Sequence, residues 1–347
     1  MKALRLTSWG HEPEMVEVPA PDPRPGQVLV RIGGAGACHS DLHLMHDFVD
    51  GMVPWGPPFT LGHENAGWVE ALGDGVRHLE VGQPVAVYGP WGCGHCRRCH
   101  TGAENYCERQ QELGAAGGGL GFDGGMAPYM VVPSSRWLVP LGDLDPVQAA
   151  PLTDAGLTPY HAIARSLDVL VPGSPAVVIG AGGLGHMAVQ LLEALSPAQI
   201  VVVDQREAAL NAALEAGADR ALVSDETTAD EILAITGGQG ADLVLDLVGV
   251  DQTLALAAKA TRMLGHLTIV GIGGGTLPLG FFSIPYEASV ATTYWGSLPE
   301  LWEVIQLART GRIRPHVTTF DLEHAVDAYT AMRDGTLEGR AVIVPTS

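Results

Sequence analysis

The chain has 347 residues, room for about two domains of roughly 150 residues each. It is 46% hydrophobic and only 17% charged, which supplies a large core and excludes a disordered chain. Thirty-nine acidic against 19 basic residues give a formal charge of −20, which repels phosphate backbones and anionic lipid surfaces and argues against nucleic-acid or membrane partners.

In chain order, the N-terminal residues Met1–Leu6 are followed by no apolar stretch of signal-peptide length, and no run of 18 apolar residues occurs anywhere, so a cytoplasmic protein is expected. Up to about residue 150, short β-like runs alternate with Gly and Pro: Gln27–Ile32, Gly67–Ala71 and Gln83–Tyr88. This is the pattern of an irregular all-β domain. Cys38 and His63 fall in this part, but spacing alone does not join them into one site, and either could be an ordinary buried residue.

Cys93, Cys96, Cys99 and Cys107 crowd four of the five cysteines into fifteen residues. Four soft ligands on one short lobe suit a closed, tetrahedral structural zinc site, with Arg97, Arg98 and Arg109 expected to favour the thiolates. A ferredoxin-like cluster and a redox dithiol are the alternatives. The last spacing and the absence of Pro after Cys107 disfavour the first, and the second leaves two thiols unused.

From about residue 155 strands alternate with helices. Strand Ala176–Gly180 leads to a helix near 183–195, strand Gln199–Asp204 to helix Glu207–Ala216, and strand Asp242–Asp246 to a helix near 251–263 and strand His266–Gly271. Two more helices follow near 299–310 and 323–333, then a last strand Ala341–Val344. Buried strands alternating with helices predict a parallel, doubly wound α/β sheet. Gly180, Gly182, Gly183, Leu184 and Gly185 form a G-x-G-x-x-G loop between strand and helix. Gly180 permits the turn, Gly182 admits a pyrophosphate and Gly185 allows close packing. Asp204, 19 residues past Gly185, is placed to accept from the adenosine ribose hydroxyls and to repel a 2′-phosphate, favouring NAD over NADP; Arg206 pulls the other way.

Taken together, these signatures resemble the zinc-dependent medium-chain alcohol dehydrogenases over essentially the whole chain. The stretches Val87–Gly94 and Pro151–His161 are most similar to bacterial NAD-dependent secondary alcohol dehydrogenases. The resemblance implies a GroES-like catalytic domain at 1–153 and 295–347, with a structural-zinc lobe near 90–110, and a Rossmann NAD-binding domain at 154–294, with the active site in the cleft between them. It implies two zinc ions per chain, with Cys38, His63 and Asp154 as the catalytic ligands, Asp154 standing where several family members carry cysteine. Glu64 resembles a near-zinc glutamate, and Asp41 is expected to fix the His63 tautomer.

An alcohol must lose its hydroxyl proton before its carbon yields hydride. Ser40 is placed to accept that proton, which by resemblance passes through the nicotinamide ribose toward His43 and solvent. His39 and Arg340 resemble pyrophosphate contacts, Thr158 and Val270 resemble nicotinamide contacts, and Trp295 is a further cofactor-binding candidate. Trp55, Leu120, Phe282, Tyr294 and Trp295 are candidates for a wide apolar pocket suited to bulky or aromatic ketones. The expected activity is reversible oxidation of secondary alcohols by a homotetramer, or a dimer. Primary-alcohol or polyol oxidation on the same fold, and a zinc-stabilised nucleotide-binding protein without catalysis, are the alternatives.

Overall fold

Strand Val28–Gly36 is buried along almost its whole length because three other strands hydrogen-bond to it. One edge pairs with Glu64–Leu72; the other pairs with Tyr129–Val132 along its first half and with Arg340–Val344 at its end, all antiparallel. Pro84–Val87 and Leu138–Pro140 extend the sheet on one side and Val317–Asp321 on the other. Register decides which side chains meet at the strand ends. Gly36 faces both Glu64 and Val342, so Cys38, His63, Glu64 and Arg340 emerge together at one end of three neighbouring strands. The computed structural model describes residues 1–345.

The chain divides into two units. This sheet belongs to a unit of Met1–Leu157, Gly296–Gly311 and the stretch from Pro315 onward, whereas Thr158–Trp295 with Arg312–Arg314 forms the other. The irregular all-β expectation for the first 150 residues holds with helical additions, the short Arg97–His100 and Pro146–Ala149 and the helix His39–His46 just after strand Val28–Gly36. Asp41 starts this helix by reaching back: its Oδ2 accepts the Cys38 N–H at 3.0 Å, so the residue that holds the helix end also enters the site.

The second unit contains six parallel strands in the order Arg220–Val223, Gln199–Asp204, Pro175–Ile179, Ala241–Asp246, Thr261–Ile269 and Ser289–Thr292. The earliest strand therefore lies in the middle, and the chain winds outward from it in both directions. Val177, Ile179, Val201, Val203, Val244 and Leu267 form a core on one face, and Val178, Val202, Leu243 and Leu245 are buried on the other, which is why these strands read as continuous apolar runs. One boundary differs from the sequence pattern: the helix predicted near 251–263 ends at Ala260, and Thr261–Ile269 is strand. The Thr261 hydroxyl donates to the Ala257 carbonyl at the helix end, and pairing of Thr261 with Ala241 draws the next residues into the sheet.

Candidate metal and cofactor sites

At the end of the first sheet, single ligand atoms of Cys38, His63, Glu64 and Asp154 all lie within 4.8 Å of one another. Asp154 Oδ2 is 3.8 Å from Cys38 Sγ and 3.7 Å from His63 Nε2. Those separations are close to the edge of a tetrahedron with zinc–ligand bonds of about 2.0–2.3 Å, roughly 3.3–3.8 Å. The other ring nitrogen, His63 Nδ1, faces Asp41 Oδ1 at 3.1 Å, which leaves Nε2 for the centre of the cluster. Ser40 Oγ lies 3.2 Å from the same Nε2.

The electrostatics also fit a cation. Burial disfavours the Cys38 thiolate, but the Arg340 guanidinium and His63 more than offset it, so the thiol lies below its ordinary value. Burial likewise opposes charge on His63, yet the Asp41 carboxylate and hydrogen bonds to Asp154, Asp41 and Cys38 hold it well above the usual imidazole range. Glu64 is pushed well up by burial, with Arg340 opposing. Three acids, Cys38, Glu64 and Asp154, thus crowd the Arg340 guanidinium and the His63 ring, and a divalent ion that displaces the proton from His63 Nε2 would supply positive charge among them. The residues fit zinc.

Arg340, expected at a pyrophosphate, is buried here with its fork on Glu64: Nε donates to Oε2 at 3.0 Å, Nη2 donates to Oε1, and Nη2 lies 3.9 Å from Asp154 Oδ2. Both Glu64 oxygens are thereby engaged. His43 stands one turn beyond Ser40 with Nδ1 2.5 Å from Asp47 Oδ2, and His39 is exposed on the same helix.

The four-cysteine lobe carries a second cluster. Its sulfurs lie within 4.8 Å of one another, with Cys96–Cys99 at 3.4 Å and Cys93–Cys99 at 3.9 Å, and none is in a disulfide. A zinc tetrahedron with 2.3 Å bonds has edges of about 3.8 Å. The expected arginine support is not what faces the sulfurs; backbone N–H groups do. Cys96 N donates to Cys93, Cys99 N to Cys96, Cys93 N to Cys107 and Arg109 N to Cys107, at 3.3–3.5 Å. Cys99 N–H leads the contributions that lower Cys96 to about 6, while burial raises Cys99 and Cys107. Arg109 instead meets His95. Two residues that the sequence pattern does not single out clamp the lobe: Arg136 donates to the Cys99 carbonyl at 3.0 Å and pairs at 2.5 Å with fully buried Glu104.

In the second unit the glycine loop follows the central strand. Gly180 has φ +93°, and a side chain on Gly185 would strike the Gly180 carbonyl, so both positions need glycine. Asp204 caps the loop: Oδ2 accepts from Ala181 N at 2.7 Å, and Oδ1 accepts from Arg206 N and Nε at 2.9 and 3.3 Å. The cavity beside it, about 670 Å³, is lined by Gly180, Asp204, Arg206, Asp225, Glu226 and Lys259 among others. Thr158, Val270 and Trp295 are buried in this unit, Trp295 with φ +55°.

Of the pocket candidates, Trp55 and Leu120 belong to the first unit and Phe282, Tyr294 and Trp295 to the second. Trp55 joins Trp9, Phe48 and Phe59 in an aromatic group of the first unit, with centroids 5.5–6.4 Å apart. Leu120 precedes Gly121, whose Cβ position would be 3.1 Å from Trp55. Tyr294 is partly exposed against Trp295, and Phe282 is 88% exposed beside Phe281.

Known proteins resemble the chain along its whole length. Residues 24–143 match the alcohol dehydrogenase GroES-like domain, and residues 183–310 the zinc-binding dehydrogenase domain. The chain is 38% identical to an NAD-dependent alcohol dehydrogenase of Sulfurisphaera tokodaii, across 99% of this chain and 100% of that protein. It is 35% identical to a D-arabinose 1-dehydrogenase (NADP(+)) of Saccharolobus solfataricus, across 99% and 97%. The crystal structure of an alcohol dehydrogenase from Aeropyrum pernix is similar with a TM-score of 0.92 at 34% identity, covering 99% of this chain and 100% of that one.

Proposed function

We propose that this chain, which belongs to the zinc-dependent medium-chain alcohol dehydrogenase family, reversibly oxidises secondary alcohols to ketones with NAD as hydride acceptor. The observation that carries the reading is the Cys38–His63–Asp154 donor set at tetrahedral spacing with Ser40 Oγ beside it. These three residues hold the catalytic zinc. Glu64, with both oxygens on Arg340, stands next to it as a reserve ligand. The four cysteines hold a second zinc that stiffens the lobe, giving two per chain. The first unit is the catalytic domain and the second the NAD domain.

When bound, zinc supplies the Lewis acidity that eases ionisation of the alcohol hydroxyl, and NAD accepts the hydride. The chain's own part is positional. Asp41 holds the His63 ring by Nδ1, Ser40 Oγ accepts the hydroxyl proton as it gives up its own, and His43, backed by Asp47, is the outlet from which a proton leaves to solvent. Asp204 accepts from the ribose hydroxyls once the cofactor is in place, and Asp225 and Glu226 add to an acidic surround that disfavours a 2′-phosphate.

The Trp9–Phe48–Trp55–Phe59 group supports bulky, flat, apolar substrates over polyols. The exposed, nearly uncharged stretch with Ile272, Leu279, Phe281, Phe282 and Tyr286 supports a homo-oligomer, a tetramer or a dimer. Five cysteines free of disulfides support a reducing, cytoplasmic setting, and among the described residues no helix is long and apolar enough to cross a membrane.

Initial rates on aromatic secondary alcohols, primary alcohols, polyols and D-arabinose, each with NAD and NADP, test the reading together with zinc analysis. The expected result is the highest kcat/KM on aromatic secondary alcohols with NAD at two zinc per chain. Preference for aldoses with NADP would replace it by a sugar dehydrogenase.

A further inference from the structure

Asp41 is fully buried, and its carboxylate meets more than the two partners described so far. Oδ1 faces His63 Nδ1 at 3.1 Å; Oδ2 accepts from Cys38 N at 3.0 Å and from the hydroxyl of Tyr329 at 2.8 Å. Tyr329 lies 288 residues away, on helix Ala325–Arg333, and its side chain is among the largest that are fully buried. Ala325, Ala328, Tyr329 and Met332 make the buried face of that helix, so the ring alone would be accounted for as core. The hydroxyl would not. A buried Tyr O–H needs an acceptor, and here it has a carboxylate; Met126 Sδ, at 3.4 Å, is the only other partner described for it.

We propose that Tyr329 is a positioning residue for the catalytic metal, acting through Asp41 to hold the His63 imidazole with Nε2 toward the ion. With Cys38 N–H and Tyr329 O–H both on Oδ2, the carboxylate plane is fixed and Oδ1 is left for His63. The C-terminal helix thereby acts on a ligand through an intervening carboxylate. This inference rests on reading Cys38, His63 and Asp154 as the zinc ligands.

The test is a chelator titration of the zinc-loaded protein, comparing Tyr329→Phe and Met126→Leu with the original chain, alongside visible spectra after cobalt substitution. The metal of the four-cysteine lobe is the internal control in every sample. In the original chain two metal classes are expected; a single zinc per chain would remove the premise, independently of Tyr329. Given two classes, Tyr329→Phe is expected to lose the catalytic metal at a chelator concentration about 3- to 10-fold lower, at or below the bottom of the 10–100-fold range for direct partners of a metal-bound His. Its cobalt bands should shift, and the metal held by its four cysteines should be unaffected. Met126→Leu, which removes the other hydroxyl contact at similar volume, should match the original chain. Overlapping chelator curves and unshifted cobalt bands for Tyr329→Phe would overturn the proposal. So would a Tyr329→Phe chain that fails to fold, since the hydroxyl would then serve the core rather than the ligand.

Discussion

Replacing Asp204 with Ala should change which cofactor the protein uses, and the structure permits a magnitude. The carboxylate sits at the end of strand Gln199–Asp204, about 10% exposed, with Oδ2 on Ala181 N and Oδ1 on Arg206 N and Nε. Its loss removes a charged acceptor for the ribose hydroxyls, which costs NAD about 1.5–3 kcal/mol, or roughly 10- to 150-fold in affinity. The same change deletes the charge that opposes a 2′-phosphate, about 1 kcal/mol at 4 Å in water and up to about 4 at an intermediate dielectric. It also releases the Arg206 guanidinium, which now folds onto Asp204 and lies 4.0 Å from the Cβ position of Gly182. The two terms together, about 2.5–7 kcal/mol, should therefore lower the kcat/KM ratio of NAD to NADP by about 10²- to 10⁵-fold, most of it in KM. Steady-state rates with each cofactor at saturating alcohol, with direct Kd measurements by tryptophan fluorescence, decide the matter. A ratio within about threefold of the original would show that Asp204 only caps the loop and does not read the ribose.

Three further outcomes are expected. Asp154→Asn should lower zinc content toward one per chain and reduce alcohol oxidation by at least about 100-fold while NAD affinity persists; normal rates at two zinc per chain would move the third ligand to Glu64. Cys96→Ser should lower Tm while the folded fraction keeps its catalytic zinc and its rate, because a site with all four positions filled contributes folding energy only; normal Tm with lost turnover would contradict that. Arg136→Met leaves Glu104 buried beside the cysteine lobe without its counter-charge and should destabilise the protein by about 1–3 kcal/mol, less than for a fully buried pair because Arg136 is partly exposed. Burial already raises the Glu104 carboxyl. Its protonated form therefore costs least in the folded state, so the deficit in Tm should shrink as the pH falls through the folded-state pKa and grow as it rises; a deficit that widens in acid would be the wrong sign.

Some of this was legible in the chain because it is local. The glycine loop lies within six consecutive residues, directly after an apolar strand, and the backbone strain that demands Gly180 and the crowding that demands Gly185 are properties of that one turn. The cysteine lobe is equally compact: four sulfurs within fifteen residues have little choice but to converge, and their stabilising N–H groups come from the same loop. The doubly wound sheet was readable because strands buried on both faces are apolar through their centres, as in Ala176–Ile179, Ile200–Val203 and Leu243–Leu245.

The reactive cluster was not local. Cys38, His63 and Asp154 come from a helix start, a strand start and the end of a 3₁₀ turn, 116 residues apart at the extremes, and no periodicity links them; only family resemblance joined them in the sequence. What brings them together is register, with Gly36 opposite both Glu64 and Val342, and long-range pairing of that kind is set by the packed sheet rather than by any segment of it. For the same reason the pairing of Arg340 with Glu64 has no local signal, and Tyr329, an unremarkable residue on an amphipathic helix, acquires its carboxylate only when the C-terminal helix packs against the start of the first one. The chain by itself determined the elements, the glycine turn and the cysteine lobe. Tertiary structure decided which acids are buried together and which side chains hold them, because the charge and orientation of a buried group depend on neighbours that sequence distance does not record.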